Sequence, residues 1–233
     1  MVNRINEIKS RLVASATVTD DKRTYFFKTG AGSYAEYDQF IGITVPTLRF
    51  IAKDFFDLSR IELQEFLSSP FNEERFFALI ILVHQYQKAS DIQKDELYQF
   101  YINNMKYVNN WNLVDASAHL IMGKYLLYKN KDILISLAQS SVLWERRIAI
   151  VSTWYFIRQD DLEWTFKIAL LLLSDKHDLI HKSVGWMLRE AGKKNISQLI
   201  SFLDEHAAHM PRTMLRYAIE KFPEQQRALY LLY

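Results

Sequence analysis

The scarcity of helix-breaking residues is the feature that most constrains what this chain can fold into. Only six glycines and four prolines occur in 233 residues, so the connecting turns must be few and short. The one stretch rich in them is residues 28–46, which we interpret as the single long connection. Elsewhere apolar residues recur at intervals of three and four, and no alternating segment is long enough to predict a strand. The sequence therefore predicts an all-α chain.

Capping patterns and apolar spacing predict where the helices begin. Pro46 is typical of a first helical turn, and Ser59 with Glu62 three residues later forms a capping-box pattern. Asn72 and Ser90 are the predicted caps of the next two helices. Further helices are predicted near residues 110–128, 131–139, 143–158, 161–173, 178–193, 196–206, 211–222 and 224–232.

The spacing of these helices predicts a repeat architecture. Starts near Glu73, Trp111, Trp144, Leu179 and Pro211 lie roughly 30–40 residues apart, the length of one helix pair in helical repeat proteins. A single pair cannot bury its own apolar face, whereas stacked pairs can, and they curve into a superhelix with a concave side. We therefore expect residues 1–233 to form one domain, a right-handed α-solenoid of HEAT-like repeats.

Composition excludes several classes of protein. Because the chain has no cysteine, disulfides, thiol nucleophiles and thiolate metal sites are excluded. The longest apolar runs, residues 76–83 and 168–173, are far shorter than the ~20 residues of a membrane span. The charged, amphipathic start does not resemble a secretory signal. We expect a cytoplasmic protein with no membrane partner.

Basic residues near the starts of the second helices of the pairs indicate a phosphate-binding surface. The net charge is only +2, so the placement of these residues matters more than their number. If the second helices line a concave side, their first turns form a basic ridge that could grip a nucleic-acid backbone. Lys182, Trp186, Arg189 and Lys193 also share one helix face. The basic residues of the ridge are Arg75, Arg146, Arg147, Lys182 and Arg212.

Trp111 and Asp115 are the candidate site residues within "NNWNLVDASAHL". They lie four residues apart, so the indole and the carboxylate share a helix face. A buried, unpaired carboxylate is costly, so this face is either a cleft wall with a partner for the charge or a packing face on which Asp115 caps a helix or pairs with an arginine. Both interpretations stay open on these residues alone, and Arg212 with Arg216 could equally be a phosphate contact or an ion-paired face.

Other groupings are weaker. His177 and His181 have a metal-binding spacing, but no third ligand is evident, so we interpret them as structural. His119 could act as a general base one turn after Asp115, although a packing role is favoured. No glycine-rich phosphate loop is present.

Five segments together resemble the AlkD-like DNA alkylation repair family. The resemblance covers nearly the whole chain, and the order and separation of the segments are more specific than any one of them. The segments are "GITVPTLRFIAKDF" at 42–55, "WNLVD" at 111–115, "WERRIAI" at 144–150, "KSVGWMLRE" at 182–190 and "RTMLRYAIEKF" at 212–222.

The resemblance implies a bacterial DNA glycosylase that works on duplex DNA without a metal or cofactor. It implies that Asp115 is catalytic, that Trp111 and Trp186 flank the sugar and phosphate of the damaged nucleotide, and that Arg147 lies in the same cleft. Arg146 beside Arg147 leaves a one-place ambiguity, and the family's N-terminal tyrosine would fall at Ser33 or Tyr34, of which Tyr34 is the candidate. The implied substrates are positively charged bases, including N3-methyladenine and N7-methylguanine. The protein would act as a monomer at the nucleoid, with no obligate protein partner.

The chemistry of these residue types agrees with that implication. Cleavage of an N-glycosidic bond passes through an oxocarbenium-like sugar, which a nearby carboxylate stabilises. Indole faces favour a nearby cation, and a cationic base leaves without a general acid. The alternatives are a DNA-binding repeat protein without catalysis and a protein-interaction scaffold. Loss of base release with retained duplex binding in Asp115→Asn would distinguish a glycosylase from the DNA-binding protein without catalysis. Salt-insensitive binding of a protein partner would favour the scaffold.

Overall fold

The structure, a computed structural model, describes residues 2–18 and 27–232. Within these ranges the regular structure is helical, apart from one isolated bridge between Gln39 and Phe71. The chain divides into two compact units, Met1–Ser117 and Ala118–Tyr233. The prediction of an all-α chain is confirmed for the described residues, whereas the single-domain organisation stays a prediction.

The described part of the first unit contains six helices and the long connection predicted at residues 28–46. A 3-10 turn (Lys53–Phe55) follows the second helix, and another (Met105–Tyr107) follows the fifth. The helices of the described part are α1 (Val2–Ala14), α2 (Val45–Ala52), α3 (Arg60–Leu67), α4 (Asn72–Lys88), α5 (Asp91–Asn103) and α6 (Trp111–Ala118), whose last residue lies beyond the unit boundary.

Three predicted helix starts have capping hydrogen bonds, two of them from the serines that the sequence analysis selected. Ser59 and Ser90 each form a complete capping box at the start of α3 and α5. Thr44 caps α2, in which Pro46 occupies the first turn. These local patterns are short-range, which is why the sequence alone predicts them.

The prediction that Asn72 caps α4 is wrong. Asn72 is already the first helical residue, and Phe71 before it makes no side-chain cap. The Asn72 side chain donates instead to the carboxylate of Asp38 and exchanges hydrogen bonds with Asn112. Tertiary contacts at this helix start therefore replace the local cap.

The second unit begins with a π-helical turn (His119–Gly123) and a short α turn (Lys124–Leu126), which continue directly from α6. A 3-10 turn (Ala207–His209) follows the helix Ile196–His206. The other described helices are α7 (Asp132–Ala138), α8 (Leu143–Arg158), α9 (Glu163–Leu171), α10 (Asp178–Lys194), α11 (Ile196–His206), α12 (Arg212–Ala218) and α13 (Glu224–Tyr230).

Two glycines allow helices of the second unit to pack closely. A Cβ atom on Gly123 would lie 2.2 Å from the carbonyl oxygen of Ser152 in α8. A Cβ atom on Gly185 in α10 would lie 2.4 Å from the carbonyl oxygen of Met214 in α12. Both distances are far below van der Waals contact, so these crossings depend on glycine. Helices α10 and α12 thereby pack backbone to backbone beside the segment that carries Trp186.

The starts of α4, α8 and α10 share one arrangement. The fourth helical residue of each, Arg75, Arg146 and His181, reaches back to the carbonyl oxygen six residues earlier. Both arginines also bind the next carbonyl along the chain, five residues earlier. This recurrence at equivalent positions is structural evidence for the repeats predicted from the spacing of the helices.

Candidate functional site

Trp111 and Asp115 lie on α6, as predicted, at its first and fifth residues. Both side chains are half-buried, so their common face is neither core nor freely exposed surface. Leu113 and Val114 on the opposite side of the helix are fully buried and hold it against the core. The helix thus presents an indole and a carboxylate on its less buried face.

A buried polar network fixes the position at which α6 starts. The fully buried Asn110 accepts a hydrogen bond from the backbone N–H of Trp111 at its Oδ1 atom, 2.7 Å away. Its amide nitrogen donates to the Asp38 carboxylate over 2.6 Å. The same carboxylate receives the guanidinium of Arg75 at 2.6 Å and the amide of Asn72 at 3.0 Å. Trp111 therefore begins its helix at a point tied to two other segments of the first unit, the connection that carries Asp38 and the start of α4.

Glu73 holds the connection that precedes α2. Its buried carboxylate accepts hydrogen bonds from the backbone N–H groups of Ile41, Gly42 and Ile43. Gly42 has a φ of 94°, and a Cβ atom there would lie 2.7 Å from the carbonyl oxygen of Val18. The "GITVP" segment is thus a tightly held turn whose glycine is required by both backbone conformation and space.

An aromatic cluster forms beside Trp111 in the described part of the first unit. Phe27 stacks on it with ring centroids 5.3 Å apart and an angle of 21° between the planes, and Phe40 lies 4.7 Å from Phe27. Tyr34, the tyrosine implied by the resemblance, accepts a hydrogen bond from the backbone N–H of Lys28. The described contacts therefore place Phe27 beside the indole, a neighbour that the sequence analysis missed because it lies 84 positions earlier in the chain.

Trp186 belongs to a row of aromatic side chains in the second unit. It is half-buried on α10, and its ring lies edge-on to Trp154 of α8 with centroids 4.8 Å apart. Trp154 in turn lies 4.5 Å from the ring of His119, in the π-helical turn. His119 is buried and packed against an aromatic ring, which agrees with the packing role favoured from the sequence.

The two adjacent arginines of α8 are both engaged inside the protein. Arg146 donates to the carboxylate of Asp175 at 2.6 Å and to the carbonyl oxygens of Ser140 and Ser141. Arg147 is 5% exposed and donates to the carbonyl oxygen of Leu179, at the start of α10. Arg146 thus holds the loop before its own helix, while Arg147 links α8 to the helix that carries Trp186.

The remaining basic candidates have intramolecular partners as well. Lys182 pairs with Asp178 on the same helix, and Arg189 pairs with Glu190 and Glu220. Arg212 is exposed and donates to the carbonyl oxygen of Leu231. Burial raises the pKa of Asp178, but hydrogen bonds from Lys182 and Thr213 and the charges of Lys182 and His181 together hold it below its usual value. Each of these cations would have to share or exchange its partner in order to bind a phosphate.

Comparison with known proteins identifies the family. The sequence model of the DNA alkylation repair enzyme family matches residues 14–222. The chain belongs to this family. A solved structure described as a predicted DNA alkylation repair enzyme from Enterococcus faecalis has the same fold, with a TM-score of 0.67 and 15% identity over 90% of this chain and 98% of the other. No curated protein sequence matches the chain.

Membership of the DNA alkylation repair enzyme family confirms the resemblance and supports a role in DNA repair. The shared fold also confirms the predicted class, an all-α repeat protein. The individual site residues stay predictions.

Two further observations concern metal binding and membrane spans. Among the described residues, no group of three or more His, Asp or Glu side chains is arranged to hold a metal ion. In the described part of the chain, no helix is long and apolar enough to cross a membrane. His177 and His181 instead hold backbone groups near the start of α10.

Proposed function

We propose that this protein is a DNA glycosylase that hydrolyses the N-glycosidic bond of positively charged alkylated bases in duplex DNA, with Asp115 as the catalytic residue. N3-methyladenine and N7-methylguanine are the proposed lesions. The observation that carries this proposal is the Trp111–Asp115 pair on one face of α6, whose start is anchored by the buried Asp38 network. An anchored helix start is what a preorganised electrostatic catalyst requires.

The proposed reaction begins with departure of the base. The bond between C1′ of the sugar and the ring nitrogen breaks, and its electron pair neutralises the cationic base, so no proton donor is needed. The sugar acquires oxocarbenium character, which the carboxylate of Asp115 stabilises. Water then adds to C1′ and releases its proton, which leaves an abasic site and a free base.

Trp111 and Trp186 are proposed to contact the sugar and phosphate of the damaged nucleotide. Indole faces attract a developing positive charge and exclude water that would screen it. Phe27 supports Trp111, and Trp154 supports Trp186. Because recognition would rely on the backbone and the sugar, bases need not enter a closed pocket, and charged, labile lesions are the substrates that this mechanism favours.

The basic residues are proposed to divide into supporting and DNA-binding groups. Arg146 supports the loop before α8 through Asp175 and two carbonyl oxygens. Arg147 remains the arginine proposed for the cleft, and Lys182, Arg189 and Arg212 remain proposed backbone contacts. Tyr34 remains proposed only as a residue near the substrate, since Phe27 occupies the described position beside Trp111.

The proposal predicts that Asp115→Asn abolishes base release while duplex binding persists. The substitution keeps the shape of the side chain and removes its charge, so we expect the excision rate to fall by about a hundredfold or more. The measurement is release of free N7-methylguanine from duplex DNA, with binding of the same duplex measured in parallel. Asp132→Asn, the same change at the exposed start of α7, is the control and should excise normally.

Three outcomes would contradict the proposal. Normal excision by Asp115→Asn would remove the carboxylate from the chemistry. Binding of the duplex by wild type without base release would favour a DNA-binding protein that lacks catalysis, and absence of both would favour a scaffold.

A further inference from the structure

Arg158, the last residue of α8, has an unusual setting among the cations of the second unit. Its side chain is exposed, and its guanidinium carbon lies 4.3 Å from the ring centroid of Trp154, one helical turn earlier. That cation–π contact is the one interaction the structure records for this guanidinium among the described residues. The sequence analysis did not select Arg158, because it lies at a helix end rather than at a helix start.

Trp154 connects Arg158 to the aromatic side chain proposed to contact DNA. One side of its indole carries the guanidinium, and its ring also packs edge-on against Trp186 at 4.8 Å. Trp186, Trp154 and Arg158 therefore form a continuous row across α10 and α8. A nucleotide held at Trp186 would have a cation two side chains away.

The chemistry of the contact leaves the charge of Arg158 available. Arg146 and Arg189 are bound to carboxylates, which neutralise much of their field. An indole face restrains a guanidinium without neutralising it, and the N–H groups at the edge of the guanidinium plane remain able to donate. A preorganised arginine with free in-plane donors suits bidentate binding of a phosphate.

We propose that Arg158, held on Trp154, contacts a phosphate of the DNA backbone beside the nucleotide at Trp186. This inference rests on the proposed DNA substrate and adds a contact that the resemblance does not include. The competing explanation is purely structural, since a cation at the end of a helix is stabilised by the helix dipole. That explanation predicts an effect on stability and none on the salt dependence of DNA binding.

The experiment measures the dissociation constant for an undamaged duplex over a series of salt concentrations. Each phosphate contact contributes about one unit to the slope of log affinity against log salt, so Arg158→Gln should lower the slope by about one. Arg158→Lys keeps the charge and should keep the slope. Lys167→Gln is the matched control, because Lys167 is also exposed and lies over an indole, Trp164, at 4.2 Å on α9.

The outcomes separate this inference from the proposed function. A wild-type slope in Arg158→Gln would overturn the inference, as would equal losses in Arg158→Gln and Lys167→Gln, which would indicate a general charge effect. Loss of thermal stability without loss of slope would support the helix-dipole explanation and also overturn it. Absence of duplex binding by wild type would instead contradict the proposed function.

Discussion

The start of α4 in the first unit and the start of α8 in the second unit have the same design with different surroundings. In each, an arginine at the fourth helical position binds two preceding carbonyl oxygens and one aspartate. We call this set of contacts a clamp, Arg75 with Asp38 at α4 and Arg146 with Asp175 at α8. A cation near a helix N-terminus opposes the helix dipole, and the aspartate offsets that cost. The difference lies in what else each aspartate holds.

Asp38 is the more heavily used of the two aspartates. Besides Arg75 it receives the amides of Asn72 and Asn110, and through Asn110 it fixes the start of the helix that carries Trp111 and Asp115. Asp175 receives Arg146 and the backbone N–H of His177, so it organises only the loop before α10. The same local motif is thus tied to a proposed catalytic helix in one unit and to a loop in the other.

Of the substitutions that remove an arginine from one of the two clamps, Arg75→Met should lower the stability of the protein more. The pair is almost fully buried, with 4% and 6% of the two side chains exposed. Removal of the arginine leaves the carboxylate of Asp38 in the interior without its counter-charge, and we expect a loss of about 3–5 kcal/mol in the free energy of unfolding. Urea unfolding followed by circular dichroism measures it. Arg60→Met, which breaks an exposed pair with Glu96, is the control and should cost about 1 kcal/mol or less.

Arg146→Met should lower the free energy of unfolding by a smaller amount, about 1–3 kcal/mol. The reason is that the Arg146 side chain is 17% exposed and Asp175 keeps the hydrogen bond from the backbone N–H of His177. The same urea titration measures this loss. As a supporting residue, Arg146 should also leave the salt dependence of DNA binding at the wild-type slope. A stability loss equal to that of Arg75→Met would mean that the two clamps do not differ as described, and a slope lowered by about one would place Arg146 on the DNA.

The helices of this chain could be predicted from the sequence because their determinants are local. Ser59, Ser90 and Pro46 act within one helical turn, and apolar spacing gave α8, α10 and α11 nearly residue by residue. Asn72 has an equally good capping pattern, but Asp38, 34 residues earlier, competes for its side chain. Contacts between residues so far apart in the sequence produce no periodic pattern from which they could be predicted.

The site was less predictable for the same reason. Trp111 and Asp115 are neighbours on one helix, so their common face follows from their spacing. The residues that lie beside them or extend the aromatic row come from other parts of the chain: Phe27 from just before the long connection and Trp154 from α8. The contacts of the basic-ridge residues also could not be predicted from the sequence, because an arginine that holds a loop and an arginine that binds phosphate look alike there.

The smallest expected effect is a pH dependence of local stability at the start of α10. His177 lies there, beside Asp175 of the α8 clamp, and the clamp of α4 has no equivalent. His177 caps α10 by accepting the backbone N–H of Leu179 at its Nδ1 atom. Burial lowers the pKa of His177, and the nearby charges of Arg146 and His181 lower it further, against the opposite influence of Asp175 and Asp178.

The sign of the effect follows from that lowered pKa. The unfolded chain takes up a proton at His177 near pH 6.5, before the folded protein does, so stability is fully present above that pH and decreases as the pH falls towards the lower folded pKa. Protonation of Nδ1 would also remove the acceptor for Leu179. The measurement is hydrogen exchange of the amides in the first turn of α10 between pH 7 and pH 5, after correction for intrinsic rates. His177→Asn, which keeps a capping oxygen that does not titrate, should lose the pH dependence. The first turn of α4, which has no histidine cap, should show none in either protein, and an equal response there would assign the effect to the whole fold rather than to this clamp.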